Sequence, residues 1–317
     1  MSKKILITGC AGFIGSNLVD FFLSKKYSII GIDNLSTGKI KFLNDALKSR
    51  KFIFKNEDLL KYSRIKNFFS NVELVIHLSA NADVRLGPEH PKKDLEQNLI
   101  VTSNILEAMR ENNVKKIVFS STGSVYGEAT EFPTPENTFF PIQTSFYGSS
   151  KLGAEGLISA YSHAFGIKCW IFRFVSVLGP RYTHGHIVDF YKKILKKNKV
   201  INVLGDGNQK KSYIHVSDCV DAIYKSLKYF KDSINIINIG HNQFITVKQS
   251  LNRIKLLMKS KKKEIYQKKI RGWVGDSPYI HLDIKKLKRS GWKPKIKILE
   301  AVEDTVNFIK NNEWILK

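Results

Sequence analysis

The apolar run Lys4–Thr8 leads directly into Thr8-Gly9-Cys10-Ala11-Gly12-Phe13-Ile14-Gly15, and a helical pattern opens at Phe13. Three glycines at that spacing between a strand and a helix leave few folds open. The first allows a tight turn, the second a close backbone approach to a bound anion, and the third helix-on-strand packing. The helix N-terminus then offers unpaired N–H groups to the anion. Asp33 closes the next apolar strand eighteen residues after Gly15, where a carboxylate can accept the hydroxyls of an adenine ribose. Asn34 follows, so no arginine waits for a 2′-phosphate, and the pattern favours NAD over NADP. The alternative is a glycine turn with no ligand and Asp33 as a solvated strand end. Asp58, just past the third strand, is placed either to reach the adenine or to cap the helix after Lys61.

The first half of the chain alternates strands with helical patterns. Strands are expected at Lys4–Thr8, Ser28–Asp33, Lys51–Asn56, Glu73–Leu78, Lys115–Ser120 and Lys168–Val175, and helices at Phe13–Lys25, Tyr62–Phe69, Pro91–Asn112 and Tyr147–Phe165. Repeated strand-helix-strand units joined by right-handed crossovers give an α/β fold, a Rossmann-type doubly wound parallel sheet. After Gly179-Pro180 the alternation gives way to helices near Ile187–Lys196 and Ser217–Tyr229, a glycine turn at Gly205-Asp206-Gly207, a strand at Asn235–Ile239 and a last helix at Ile298–Asn311. With 317 residues, two domains are expected. Residues 1–175 form the dinucleotide domain, with 213–240 returning to it, and 176–212 and 241–317 form a smaller α/β substrate domain.

Charge is the unusual part of the composition: 52 Lys and Arg against 28 Asp and Glu, a formal net charge of +24. Such a balance invites a nucleic-acid or anionic-membrane partner. Only nine of the basic residues are arginines, however, and the lysines are scattered through the chain. Phosphate and base recognition favours arginine forks, so a lysine-rich solvated surface is expected, with neither nucleic acid nor membrane as partner. Cys10, Cys169 and Cys219 lack metal spacing, which points to no metal and to a reduced, cytoplasmic setting. Lys3-Lys4 before the run Ile5 to Val19 imitates a signal peptide, but the glycine fingerprint and Asp20 argue against one.

Tyr147 and Lys151 lie four apart at the start of a helix, hence on one face. An ammonium beside a phenol stabilises the phenolate and fits it for general-base work. The spacing alone is weak, since Tyr62/Lys66 and Tyr224/Lys228 share it and are expected on solvated helix faces. Tyr147 stands apart because it follows the fifth strand, whose end carries Ser120-Ser121-Thr122 at the ligand edge of the sheet.

These motifs, with Asp33-Asn34-Leu35-Ser36-Thr37-Gly38, Ser121 to Gly127, Tyr147-Gly148-Ser149-Ser150-Lys151, Arg173 through Arg181 and Gly205-Asp206-Gly207, resemble the extended short-chain dehydrogenase/reductase family. Within it the chain most resembles the nucleotide-sugar 4-epimerases of the UDP-glucose 4-epimerase type, from about Lys4 to the last helix. The resemblance implies NAD bound by Gly9, Gly12, Phe13, Ile14, Gly15, Asp33, Asn34, Ser36, Thr37, Gly38, Asp58, Leu59, Leu78, Ala80, Tyr147 and Lys151. It implies Tyr147, Lys151 and Thr122 as catalytic residues, and a homodimer built through the helices at Pro91–Asn112 and Tyr147–Phe165. Related 4,6-dehydratases carry acidic residues in the two positions after the Thr, and decarboxylases a Glu in the second. Here those positions hold Gly123 and Ser124, which leaves proton and hydride exchange at one carbon.

For a nucleotide-diphospho-sugar substrate the resemblance implies contacts from Arg85, Thr122, Ser124, Ser176, Arg181, Lys211 and Arg271. Arg85 has salt-bridge alternatives in Glu89 and Asp94. Ser176 stands where the epimerases usually carry Asn, Lys211 where they carry an arginine fork, and Trp273 where a late Arg would align. The histidines of Thr183-His184-Gly185-His186 are expected to line the cleft rather than bind metal, and His77 to be packed at a sheet end. Two other functions stay open on sequence: a nucleotide-sugar reductase or dehydrogenase on the same scaffold, and a non-catalytic NAD-sensing or RNA-binding protein.

Overall fold

The computed structural model describes residues 4–81, 87–138, 142–270 and 279–316. The chain begins with β1 (Lys4–Thr8), α1 (Phe13–Ser24), β2 (Ser28–Asp33), β3 (Phe52–Asn56), α2 (Tyr62–Ile65), β4 (Leu74–His77), α3 (Pro91–Asp94), α4 (Val101–Glu111), β5 (Lys116–Thr122), α5 (Phe146–Phe165) and β6 (Lys168–Phe174). It continues with β7 (Ser176–Leu178), α6 (His186–Leu195), β8 (Val200–Val203), β9 (Lys210–Lys211), β10 (Tyr213–His215), α7 (Val216–Tyr229) and β11 (Ile234–Ile239). The last elements are β12 (Ile245–Thr246), α8 (Val247–Leu257), β13 (Lys263–Tyr266), β14 (Tyr279–Ile280), α9 (Lys285–Lys288) and α10 (Ile298–Asn311).

The main sheet has seven strands in the order β11-β6-β5-β4-β1-β2-β3. Pairing is parallel from β3 across to β5. The backbone bonds Cys169 N–H to Ser233 O and Val175 N–H to Ile239 O advance together, so β6 and β11 run parallel as well. Strands covered on both faces read as continuous apolar runs, which is why β1 and β2 were legible without an alternating pattern. Their core joins Leu6, Ile32, Val75, Ile117, Phe119 and Ile171 to Ile105, Leu106 and Met109 of α4 and Ala154 and Ile158 of α5. The strand order reverses between β1 and β4, and the two strand-end loops at that point touch. A Cβ added to Gly9 would lie 2.9 Å from the Ser79 nitrogen.

The long helix expected over Pro91–Asn112 is interrupted. A π-helical stretch, Leu95–Ile100, separates α3 from α4. There Asn98 is fully buried and donates from Nδ2 to Ser150 Oγ on α5 at 2.9 Å, while Thr102 Oγ1 donates to Asn98 O at 2.5 Å. A wide turn of this kind turns an extra residue inward and is characteristic of functional regions.

The chain divides into two compact units: residues 1–128, 138–173 and 223–237, and residues 129–137, 174–222 and 238–317. This shifts the expected boundaries by two or three residues at 174–175 and 238–240, and by longer stretches at 129–137 and 213–222. Ala129–Asn137 belongs to the second unit because Thr134 N–H donates to His281 O at 2.9 Å and Thr134 O accepts from Asp283 N–H at 2.9 Å. Residues 213–222 belong there because β10 pairs in parallel with β7. The second unit otherwise holds the small sheets β12-β9-β14 and β13-β8, too short to show a sequence period. Its C-terminal segment is pinned by Asp218, which is 2% exposed and accepts from Lys295 N–H at 2.9 Å and Ile296 N–H at 3.0 Å. Among the described residues no helix is long and apolar enough to cross a membrane.

Asp218→Ala removes the acceptor of two backbone N–H groups, at a cost of about 2–4 kcal/mol. Calorimetry should show a Tm lower by roughly 5–10 °C.

Candidate active site

The ends of β1, β2, β4 and β5 carry the candidate residues of the first unit. Gly9 has φ +66° and donates its N–H to Ile32 O at 2.9 Å. Gly9 O accepts from Gly12 N–H at 3.0 Å, and a Cβ on Gly15 would sit 2.0 Å from that oxygen. Side chains are excluded there by backbone. The helix behind the loop starts at Phe13 and Ile14 with no side-chain cap and no acidic residue in its first turn, so its N-terminal N–H groups and positive dipole end face an open loop. Asp33 is buried, accepting from Ala11 N–H and Leu35 N–H, each at 2.9 Å. Burial raises its pKa against those two bonds.

Around Asp33, Ser36 N–H donates to Asn34 Oδ1 at 3.1 Å. A Cβ on Gly38 would meet Asp33 Oδ1 at 2.7 Å, so Ser36, Thr37 and Gly38 wrap the carboxylate. Asp58 does not cap the helix after Lys61. Its Oδ1 accepts from Leu60 N–H at 2.9 Å, closing a turn one step earlier. Leu59 is buried in the sheet core, leaving only its backbone near the surface. Past β4, the N–H groups of Leu78 and Ser79 donate to Thr8 Oγ1 at 3.2 and 3.3 Å, and Ala80 follows half-buried.

Those bonds fix the state of His77. Thr8 Oγ1 receives two N–H groups and is 2.8 Å from His77 Nδ1, so its proton goes to that nitrogen. His77 Nε2 is then the protonated nitrogen and donates to Thr102 Oγ1 at 3.0 Å. Burial, aided by Lys151, pushes its pKa well below the usual histidine value. His77 is a neutral, packed residue.

The fifth strand ends against α5. Ser145 caps that helix, accepting from Gly148 N–H at 3.0 Å, and places Tyr147 in the first turn. Thr122 hydrogen-bonds the Tyr147 hydroxyl. It also accepts from Ser124 N–H at 3.1 Å and lies 3.3 Å from Ser124 Oγ. One turn on, Lys151 is 1% exposed, donates to Ser120 O at 2.8 Å and stands 4.6 Å from the Phe119 ring centre. Burial lowers the Lys151 pKa to about 7, opposed by Glu155 and Asp94. Burial raises Tyr147 to about 12, with the Thr122 bond pulling it down and Asp94 pushing it up. Thr122, Tyr147 and Lys151 therefore stand together. The other pairs do not resemble this one: Tyr62 packs on the sheet core, and the Lys228 ammonium covers the Tyr224 ring at 4.2 Å.

In the second unit, Ser176 begins β7 and is exposed, and Arg181 turns the chain at φ +74°. Lys211 ends β9, and its charge acts with burial to lower the His186 pKa to about 4. His186 Nε2 is 2.9 Å from Ser250 Oγ, whereas His184 stacks on Tyr182 at 6.0 Å, so the two histidines have separate partners. Arg85, Arg271 and Trp273 lie outside the described residues.

The pattern of the NAD dependent epimerase/dehydratase family matches residues 5–240. The chain belongs to that family. It is 38% identical over 314 residues to a Methanocaldococcus jannaschii protein named "Putative UDP-glucose 4-epimerase", covering 97% of this chain and 99% of that one. It is 32% identical over 322 residues to the UDP-glucuronate 4-epimerase of Thermodesulfobacterium geofontis, covering 98% of both. The solved UDP-glucose 4-epimerase of Thermotoga maritima with UDP-glucose superposes with a TM-score of 0.87 at 32% identity, covering 98% of this chain and 99% of that one.

As a member of this family the protein uses NAD. The glycine cradle that a Cβ would fill, the uncapped start of α1 and the carboxylate of Asp33 suit a dinucleotide. The sequence reading does not single out Asn98 or Glu155, and it names Asp94 only as a salt-bridge alternative for Arg85 and Arg173 only as the edge of a motif. Glu155 was within reach, one further turn along the Tyr147–Lys151 face. Asp94 and Asn98 carried no period, because the π-helical stretch breaks it.

His77 and His186 are both held neutral by the fold. Between their folded pKa values and the unfolded value of about 6.5, the unfolded chain binds more protons, so stability is full above pH 6.5 and is lost as pH falls below it. Tm should fall between pH 7 and pH 4.5, and His186→Asn, which keeps a partner for Ser250, should flatten part of that fall.

Proposed function

We propose that this protein interconverts the C4 epimers of a nucleotide-diphospho-sugar through a transient 4-keto intermediate. The observation that carries the reading is the Thr122, Tyr147 and Lys151 arrangement followed by Gly123 and Ser124. Elimination of water needs a further acid and base there, and neither Gly123 nor Ser124 exchanges a proton near neutral pH. Relatives named for UDP-glucose and UDP-glucuronate 4-epimerisation support the substrate class.

In this reading the pyrophosphate of NAD is held by Gly9, Gly12, Phe13, Ile14 and Gly15, and its adenosine by Asp33, Asn34, Ser36, Thr37, Gly38, Asp58 and Leu59. Leu78, Ala80, Tyr147 and Lys151 serve the nicotinamide half. When bound, NAD supplies a hydride acceptor and then donor at C4, and a positive ring that favours the Tyr147 phenolate. Tyr147 takes the proton of the sugar 4-hydroxyl and later returns it. Thr122 orients that oxygen through the hydrogen bond it already makes to Tyr147, and Lys151 balances the phenolate charge. Return to the opposite face of the ketone requires only that the sugar turn over between the two steps. Ser124, Ser176, Arg181 and Lys211, with Arg85 and Arg271, carry the substrate contacts that the resemblance assigns. Lys211 offers a point charge in place of a guanidinium fork, which loosens any preference for UDP.

NAD-loaded protein incubated with UDP-, dTDP-, GDP- and CDP-sugars should yield products of unchanged mass that chromatography separates as C4 epimers. Tyr147→Phe should lower kcat by about 10²–10⁴-fold; near wild-type turnover would sink the assignment. Stoichiometric consumption of added NADH would instead make the protein a reductase.

The proposal extends to a cytoplasmic homodimer. Three free, buried cysteines suit a reducing compartment. On the expected dimer helices Leu95 and Ile100 are 47% and 42% exposed, and a Cβ on Gly156 of α5 would meet nothing within 4 Å. Light scattering should give twice the chain mass for the native protein and the chain mass for Ile100→Glu.

A further inference from the structure

Tyr147, Lys151 and Glu155 follow one another at intervals of four residues on α5, and β5 meets each with a different residue. Thr122 bonds Tyr147, Ser120 O accepts from Lys151 Nζ at 2.8 Å, and Ser121 Oγ donates to Glu155 Oε1. Glu155 is held from β6 too. Arg173 donates Nε to Oε1 at 3.1 Å and NH2 to Oε2 at 2.7 Å, and its guanidinium lies 4.7 Å from the centre of the Tyr126 ring. Glu155 and Arg173 are 4% and 8% exposed. A buried ion pair adds little to stability over an apolar pair of similar volume, while the three bonds fix the Glu155 carboxylate in one place beside Lys151 on the helix face.

Resting on the epimerase reading of Tyr147 and Lys151, we propose that Glu155 is a positioning residue. Clamped by Arg173 and Ser121, its carboxylate keeps the Lys151 ammonium charged and in register with Tyr147. The charged and titratable groups facing Lys151 are Tyr147 and Glu155 from α5, Asp94 from α3 and His77 from β4. His77 is neutral, so Glu155 and Asp94 are the two anions that oppose the cost of burying the ammonium. Glu155 faces Arg173 and Cys169 on β6, and the Cys169 thiol is pushed up by burial and stays uncharged. Glu155 lies about two turns along α5 from Tyr147, with Lys151 between them on the same face, so Glu155 reaches the phenol by way of Lys151.

The test uses Glu155→Gln, Glu155→Asp and the double variant Glu155→Gln/Arg173→Gln, each NAD-loaded. Two readouts are taken: the pH profile of kcat and KM, and an ultraviolet difference titration of Tyr147 against a Tyr147→Phe reference. In Glu155→Gln the alkaline limb of kcat should move to lower pH by about one unit, with KM changed less than about threefold, and Tyr147 should ionise at higher pH. Glu155→Asp, which keeps the charge, should return both readouts towards wild type. The double variant removes the uncompensated guanidinium and should keep the displaced profile, including where Glu155→Gln alone folds poorly. Profiles superimposed on wild type, or a wild-type profile recovered in the double variant, would overturn the proposal. The Tyr147 titration needs no sugar nucleotide, so it still judges Glu155 if no substrate turns over and the epimerase reading fails.

Discussion

Burying an ammonium is the constraint around which the first unit is arranged. A charged amine taken out of water loses several kcal/mol even after the surroundings relax, yet Lys151 is 1% exposed. The fold meets that cost with oriented groups from several elements: the Ser120 carbonyl at the end of β5, the face of Phe119, and the carboxylates of Glu155 and Asp94. None of these can move alone. Ser120 and Phe119 are set by the pairing of β5 with β4, Glu155 by Arg173 of β6, and Asp94 by Asn81, whose Nδ2 donates to it at 2.8 Å. Lys151 on α5 thus inherits its position from the sheet.

Asp94 has opposite consequences for Lys151 and for Tyr147. A buried carboxylate favours the protonated form of both Lys151 and Tyr147. For Lys151 the two carboxylates oppose burial without cancelling it, and its pKa stays at about 7. Burial is the largest influence on Tyr147 and holds its proton; Thr122 pulls the other way by more than Asp94 adds, and does not overcome burial.

The parts of this arrangement visible in the sequence were those with a local physical signature. Doubly covered strands gave continuous apolar runs, and the glycine loop stated its own geometry, since backbone packing against Gly9 O admits no side chain at Gly15. Tyr147 and Lys151 stand out by spacing and by their order after β5, whereas Thr122 is singled out only by the family resemblance. What stayed hidden depends on tertiary contact. Asp94 and Asn98 sit in or beside a π-helical stretch that shifts the helical period. Thr134 joins the second unit through bonds to residues almost 150 positions away, and the two-residue strands β9, β12 and β14 are too short to show any alternation. Ser145, by contrast, is a local signal: a serine just before Phe146 that caps α5 and starts the helix one residue before Tyr147.

The excess of basic residues divides in the same way. Among the described residues Lys151 and Arg173 are the buried cations of the Lys and Arg class, and each has a defined partner. Surface pairs such as Lys48 with Asp45 and Lys116 with Glu73 are exposed on both sides and contribute little individually. A net charge of +24 therefore acts on this protein from outside, as a field that decays within about 8–10 Å at ordinary ionic strength. Such a field raises the encounter rate of any small anion without distinguishing one from another. Selectivity has to come from groups at fixed distances, of which Lys151 on the Ser120 carbonyl and Arg173 on the Glu155 carboxylate are the buried cationic examples.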